Sequence, residues 1–153
     1  MTSEREIRDA HQAGLEFVAF VHRLAVVLPP PHHHALEHLL RFCVAIPLNI
    51  EDGIAPVPPE ERAACFEIAR GCALACRASL DLLGSAGLCP WANLAPGKAL
   101  LARVLSGLAA PDGRAPAGGF PVRPRPVERD ATAGGMEREY RRGPGLDRER
   151  RED

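Results

Sequence analysis

The stretch "PEERAACFEIARGCALACRASLDLL", Pro59 to Leu83, contains the longest helical pattern of the sequence and decides the fold class. Proline suits the first turn of a helix, where its missing N–H is not needed, and the two glutamates after it favour the positive end of the helix dipole. Gly84 and Gly87 follow the pattern and are typical of a helix end. A long helix is therefore predicted from about Pro59 to Leu83.

Apolar and small residues cover two faces of this predicted helix. At about 100° per residue, the face that we expect to lie in the core holds Cys65, Ile68, Ala69, Cys72, Cys76, Ser79, Leu80 and Leu83. The second face holds Gly71, Leu74, Ala75, Ala78 and Leu82. A helix with two apolar faces is either central in its domain or shared with another subunit. No helix of a four-helix bundle is central, so the pattern favours a subunit contact over scattered apolar surface residues.

Three further segments show helical periodicity. Together with the long helix, they predict an all-α protein, an antiparallel up-down four-helix bundle over residues 1–110. One begins at Ser3, which can form a capping box with Glu6, and is ended by the prolines at 29–31. Another begins at about His33, and the last covers roughly Leu94 to Leu108. The predicted core residues of the three are Ile7, Ala10, Gly14, Phe17, Val21, Leu24 and Leu28, then Leu36, Leu39, Leu40, Cys43 and Ile46, then Gly97, Leu101, Val104, Leu105 and Leu108.

The stretch "IPLNIEDG", Ile46 to Gly53, places a proline inside the second helical pattern. Proline removes a backbone donor and costs about 3 kcal/mol in a helix interior. Because apolar residues continue beyond Pro47, we predict a kinked second helix that runs on for one more turn. Asn49 is expected to hydrogen-bond a backbone group freed by the proline, and Gly53 is expected to end the helix in a left-handed conformation.

Residues 111–153 are rich in Gly, Pro and Arg and offer little apolar surface to bury, so we predict a disordered C-terminal tail. This tail is either a solvated extension or a weak electrostatic tether to nucleic acid or an acidic partner. The formal net charge of the whole chain is -1, so the total charge does not indicate a general polyanion binder.

The N-terminal segment lacks a basic stretch followed by an apolar one, and no apolar run approaches the roughly 18 residues of a membrane span. We therefore expect a cytoplasmic protein that has no membrane contact. The chain has 5 cysteines, an odd number spread through helical patterns, which indicates reduced thiols and not a disulfide framework.

Two motifs stand at a short separation in "RFCVAIPLNIEDG" and "ERAACFEIARGCALACRASLDLL". Together they resemble the motifs of the four-helix-bundle protein family encoded in the intervening sequences of 23S ribosomal RNA genes. The resemblance covers roughly residues 8–110. The matching residues are Ile46, Pro47, Leu48, Asn49, Ile50 and Gly53 in the first motif, and Phe66, Ile68, Ala69, Arg70, Gly71, Ala73 and Cys76 in the second.

This resemblance implies a left-handed bundle that assembles as a homo-oligomer, a pentameric ring, and that has no known enzymatic activity. One branch of the family serves the reverse transcriptases of diversity-generating retroelements through a strongly basic ring, whereas residues 1–110 of this chain are slightly acidic. The resemblance implies a structural role for nine signature residues. These are Ile46, Pro47, Asn49, Asp52, Gly53, Phe66, Ala69, Arg70 and Gly71.

The chain departs from the family pattern at the acidic positions. The family's Ala-Glu before the glycine is Glu51-Asp52 here, and the glutamate that precedes Cys76 in the family is Ala75. The serine of the second motif is replaced by Cys72. Any role that requires both acids together is therefore weakened in this chain.

The residues favour a non-enzymatic, self-associating scaffold or interaction protein without a cofactor. Arg70 and Arg77 lie about 20° apart around the predicted helix, so a ring of subunits would repeat the pair. With Leu74 and Ala78 they are the candidate contacts to RNA, to DNA or to a neighbouring subunit. The alternative for both arginines is an ordinary solvated charge.

The competing hypothesis is a small metal- or ligand-binding protein. Cys65, Cys72 and Cys76 fall within about 40° on one helix, and with a histidine they would supply tetrahedral zinc ligands. The stretch "PPPHHHALEH" offers that histidine from among His32, His33, His34 and His38. In the alternative interpretation, the cysteines are small side chains of the core, and the histidines lie in a solvated loop without a bound metal. The sequence contains neither a complete P-loop nor a nucleophile elbow.

Overall fold

The structure is a computed structural model that describes residues 3–109. Within that range the chain forms four α-helices and one 3-10 helix, and it contains no strand. The bounds are Glu4–Val27 for α1, Glu37–Ile54 for α2, Pro59–Ser85 for α3 and Trp91–Gly107 for α4, with the 3-10 helix Pro30–Leu36 between α1 and α2. The predicted tail, residues 111–153, lies outside the described residues.

The four helices pack in a closed cycle. The helix α1 lies against α2 and α4, and α3 lies against the same two helices. Glu6, at the start of α1, is beside Gly107 at the end of α4, whereas Phe20 near the end of α1 is beside Gly97 near the start of α4. The helices α1 and α4 are thus antiparallel. So are α2 and α3, because Gly53 near the end of α2 meets Phe66 near the start of α3. This arrangement confirms the predicted all-α four-helix architecture.

The core is formed by apolar side chains, and none of the described polar or charged residues is buried. The predicted stripe of α1 is buried from Ala10 to Leu28, with Ile7 half-buried at its edge. On α2 and α4 the predicted core residues are also buried, except Leu40 and Leu105, which are half-buried. Apolar burial is therefore the main stabilising term of the bundle.

The predicted core face of α3 is wrong at three positions. Ile68 is 38% exposed, and Cys65 and Ser79 are only half-buried. Ala73 and Gly84 are buried instead, so the buried stripe turns toward the side that faces α2 and α4. An ideal helical wheel ignores the winding of one helix around its neighbours, and this accounts for the shift.

The start of the second helix is also corrected. The α-helix begins at Glu37 and not at about His33, because the segment before it forms the 3-10 helix Pro30–Leu36. Prolines in this segment lack N–H donors, and two histidine rings hydrogen-bond nearby carbonyl groups at 3.0 Å, those of Leu28 and Pro31. These local bonds favour the tighter 3-10 turns over an early α-helix.

Two other helix ends differ from the prediction by a few residues. The helix α3 continues through Gly84 to Ser85 and ends before Gly87, whose φ of 68° lies in the left-handed region. The helix α4 begins at Trp91, directly after the extended Pro90, and not at Leu94. The indole of Trp91 covers Gly84, so the packing of these two residues holds both ends together.

The capping box predicted at the start of α1 is confirmed. The backbone N–H of Glu6 donates to Oγ of Ser3 at 3.3 Å, and the backbone N–H of Ser3 donates to the Glu6 carboxylate at 2.6 Å. These bonds lower the pKa of Glu6. They also satisfy two of the N–H groups that the first turn of a helix leaves free.

Surface ion pairs join α4 to both of its neighbours. The guanidinium of Arg103 contacts the carboxylate of Asp9 at 2.5 Å and that of Glu16 at 3.4 Å, both on α1. Nζ of Lys98 lies 2.7 Å from the Asp81 carboxylate on α3. All of these groups are partly exposed, so the pairs orient the helices and add little to stability.

Candidate interaction surfaces

The first sequence motif packs α2 against α1. A Cβ atom added to Gly14 of α1 would lie 3.3 Å from Cγ2 of Ile46 and 3.5 Å from Cδ of Pro47. Both Ile46 and Pro47 are buried, and α2 continues through the proline to Ile54. The motif therefore has a structural role here, since it brings the two helices into close contact.

The glycine of that motif has a different role from the one predicted. Gly53 lies inside α2, and among the described residues only Gly87 has a positive φ. The aromatic ring of Phe66 on α3 sits where a side chain on Gly53 would project. The left-handed helix end was a wrong prediction, and a close helix–ring contact explains the glycine.

Asn49 bonds to the backbone of its own helix, but not to the group that the proline frees. Its Nδ2 donates to the carbonyl of Ala45 at 2.7 Å. The carbonyl that loses its donor at Pro47 is that of Cys43, four residues earlier. The side chain therefore bonds across the turn that contains the proline and does not replace the missing bond.

The other signature residues lie at different depths. Asp52 is half-buried near the end of α2, and Ala69 is fully buried between the helices. Arg70 is half-buried, and its Nε atom has no hydrogen-bond partner although it is shielded from solvent. Arg77, two turns further along α3, is exposed and takes part in none of the ion pairs among residues 3–109.

The second apolar face predicted for α3, here called the outer face, is uncovered in the described structure. Leu82 is 70% exposed, Ala78 is exposed, and Leu74 and Ala75 are half-buried. A Cβ on Gly71 would meet no atom within 4 Å. Leu74 lies within about 60° of both Arg70 and Arg77 around the helix, so the two arginines border the outer face.

Four of the five cysteines are core side chains. Cys43 of α2 and Cys72 and Cys76 of α3 are buried near one another, and burial raises the pKa of all three thiols. Sγ of Cys43 donates to the carbonyl of Leu40 at 3.4 Å. Cys65 is half-buried and lies two turns from Cys72 along the helix. Buried protonated thiols are poor metal ligands, since a metal requires thiolates.

The histidines do not complete a metal site with these thiols. The rings of His33 and His34 bond to carbonyl oxygens within their own segment, and His38 stacks on Phe42 with ring centroids 5.9 Å apart. His34 belongs to the 3-10 helix, whereas His38 belongs to α2. Across residues 3–109, no group of three or more metal-binding side chains comes together.

A groove of about 160 Å³ at one end of the bundle was not foreseen from the sequence. It opens where α1 and α3 begin and α2 ends, and we call it the end groove. Residues far apart in sequence contribute to it, and although Gly53 and Phe66 belong to the two sequence motifs, neither motif indicates a groove. Its lining residues are Glu4, Ile7, Arg8, Gly53, Ile54, Arg62 and Phe66.

The end groove combines apolar surface with charge. Ile54 is 50% exposed, and the ring of Phe66 is half-buried beside it. Arg8 forms an ion pair with Glu4 at 3.3 Å, and Arg62 adds a second guanidinium. Such a surface suits an apolar side chain carried on a polar backbone.

The described residues thus form an all-α bundle whose candidate surfaces are the outer face of α3 and the end groove. Comparison of the chain with family models, with curated proteins and with solved structures finds no match. Across residues 3–109, none of the helices is both long and apolar enough to cross a membrane.

Proposed function

We propose that this chain is a non-enzymatic assembly protein whose copies associate through the outer face of α3. The observation that carries the proposal is the exposure of this face, with Leu82 70% exposed and open space beside Gly71. Small residues let a second backbone approach closely, and Leu74 and Leu82 supply apolar area to bury. The resemblance noted above supports the same arrangement and suggests a pentamer.

The assembly is tested by multi-angle light scattering on the full chain. We expect a mass that is a multiple of the 16.5 kDa chain mass. Ala78→Glu should reduce the mass toward one chain, because it places a charge in the contact. Val26→Glu, at an 85% exposed position on α1, is the matched control and should leave the mass unchanged. A wild-type monomer at every concentration would falsify the proposal.

A second candidate function, contact with RNA or DNA, is favoured by the exposed Arg77 at the border of the outer face. In an oligomer this cation would recur once per subunit and present a row of charges to a phosphate backbone. Arg70 lies nearby and would add to the row.

Binding to a single-stranded RNA is measured at two salt concentrations. Phosphate contacts release counterions, so affinity should fall as salt rises, and Arg77→Gln should reduce the salt dependence. Arg23→Gln, an exposed arginine on α1, is the control. If the wild-type chain binds no RNA even at low salt, this second function is rejected.

The metal-binding alternative has no supporting geometry among residues 3–109. Elemental analysis of untagged protein would test it directly. A transition metal at near-stoichiometric amount would favour that alternative over the assembly protein proposed here.

A further inference from the structure

We propose that the end groove binds a segment of this chain's own C-terminal region, centred on Phe120. The proposal does not depend on assembly through the outer face of α3, because that face and the end groove share no residue. It rests on where α4 ends, on the chain length beyond that point, and on the side chains available there.

The chain leaves the bundle beside the end groove. Gly107, the last residue of α4, packs against the backbone carbonyl of Glu6 and against Ala10 on α1. Ile7 and Arg8, which line the groove, follow Glu6 directly in the sequence. The departing chain therefore has only the width of α1 to cross, about 10–12 Å, to reach the groove.

The length of the following segment permits this contact. Phe120 lies eleven residues beyond Ala109, and a chain of that length spans at most about 36–40 Å. This reach exceeds the width of one helix several times. The segment can therefore pass around the start of α1 without disturbing the bundle.

The chemistry of the segment matches that of the groove. Between residues 110 and 121, Phe120 is the only large apolar side chain, and two glycines precede it. The groove offers Ile54 and Phe66 as apolar partners, and aromatic rings pack well in edge or stacked contacts. The small glycines let the backbone lie close to the groove wall.

Tethering favours this occupant over a second copy of the chain. A segment joined by a short linker has an effective concentration of roughly millimolar at its own groove. A second copy at ordinary protein concentration is far more dilute. The segment of the same chain should therefore occupy the groove first.

The test places the photoreactive amino acid p-benzoylphenylalanine at position 120 of the full chain. After irradiation, peptide mapping should find cross-links to residues 4–8, 53–54 or 62–66. Equal amounts of isotopically light and heavy protein are mixed beforehand, so that a link within one chain is distinguished from a link between chains. Links within one chain at the groove support the proposal.

Two variants serve as test and control. Ile54→Asp places a charge in the groove and should reduce the cross-link yield severalfold. Leu48→Asp changes a 59% exposed residue of the same helix away from the groove and should leave the yield unchanged. Both variants should keep the helical circular-dichroism spectrum, because both side chains are already exposed.

Three outcomes would overturn the proposal. These are cross-links only outside the groove, cross-links only between light and heavy chains, and a yield that Ile54→Asp leaves unchanged. Links between light and heavy chains at the groove would assign it to a second copy. The light-scattering mass of the unmodified chain is recorded separately, so loss of assembly is not confused with loss of groove binding.

Discussion

Glycines at helix contacts govern how closely the helices of this bundle approach. Gly53 is covered by the ring of Phe66, Gly97 by the ring of Phe20, and Gly84 by Trp91. Each aromatic ring occupies the space that a side chain would need. Gly71, in contrast, faces open space, so the same residue type has opposite roles on the two sides of α3.

The contrast between Gly53 and Gly71 predicts opposite effects of the same substitution. Gly53→Ala should lower the free energy of unfolding by about 1–3 kcal/mol, because the new methyl group collides with Phe66. Gly71→Ala should raise it by about 0.4–1 kcal/mol through the lower entropy of the unfolded chain. Urea denaturation followed by circular dichroism measures both, and equal effects at the two positions would contradict the packing described.

The ion pair of Asp9 predicts a pH-dependent term in stability. The hydrogen bond from Arg103 holds the pKa of Asp9 below its ordinary value of 3.8 in the folded protein. Stability from this pair is therefore fully present above pH 3.8 and is lost as pH falls through the lowered pKa. Asp9→Asn should be less stable than the wild type at neutral pH, and the difference should vanish in acid.

Thermal unfolding of the two proteins across this pH range measures the difference. Glu67→Gln, an exposed acid outside the ion pairs among residues 3–109, is the control and should show no such trend. A stability gap for Asp9→Asn that persists unchanged below the lowered pKa would assign the effect to packing and not to charge.

The cysteines predict a selective pattern of thiol reactivity. Burial raises the pKa of Cys43, Cys72, Cys76 and Cys89, so these thiols hold little thiolate and are shielded from reagent. With Ellman's reagent, native protein should show one fast-reacting thiol, and Cys65→Ser should remove it. Denaturant should release the other four. Several fast thiols in the native protein would contradict the buried cluster.

At the scale of the element, α3 has a buried stripe and an apolar outer face on the same helix. Leu80 is 0% exposed and Leu82 is 70% exposed, although both are leucines two residues apart. Because the residue type is the same, a difference in stability between substitutions at these two positions reflects burial alone.

Truncation of these two leucines tests the orientation of α3. Leu80→Ala should cost about 2–5 kcal/mol of unfolding free energy because it leaves a cavity in the core. Leu82→Ala should change it by less than about 0.5 kcal/mol when measured at low protein concentration. Denaturant titration gives both values. A larger loss for Leu82→Ala would mean that the helix is rotated from the orientation described.

The helix α2 shows how an element can absorb a proline. It continues through Pro47 to Ile54, and the buried proline ring packs on Gly14. This contact offsets the lost backbone bond, and Asn49 adds a separate bond to the carbonyl of Ala45 across the same turn. The continuation was predictable from the apolar residues after the proline, whereas the contact that compensates for it was not.

At the scale of the whole molecule, a bundle of about a hundred residues has a small core, and assembly would add to it. If copies associate through the outer face, the melting temperature should rise with protein concentration, because association stabilises the folded state by mass action. Differential scanning calorimetry over a wide concentration range measures this. Ala78→Glu should make the melting temperature independent of concentration, and a flat profile for the wild type would speak against assembly.

The sequence by itself determined the four helices and the two apolar faces of α3 through its periodicity, and the capping box through the spacing of Ser3 and Glu6. It could do so because these features depend on residues within a few turns of one another. The resemblance of two motifs predicted a family and an oligomer, and both remain predictions.

Only the tertiary structure decided where the buried stripe of α3 runs, why Gly53 is a glycine and where the end groove lies. Phe66 covers Gly53 from another helix, and the groove draws its lining from the starts of α1 and α3 and the end of α2. Such contacts depend on how antiparallel helices cross in space. A one-dimensional pattern carries the period of each helix but not the rotation and height at which it meets its neighbours.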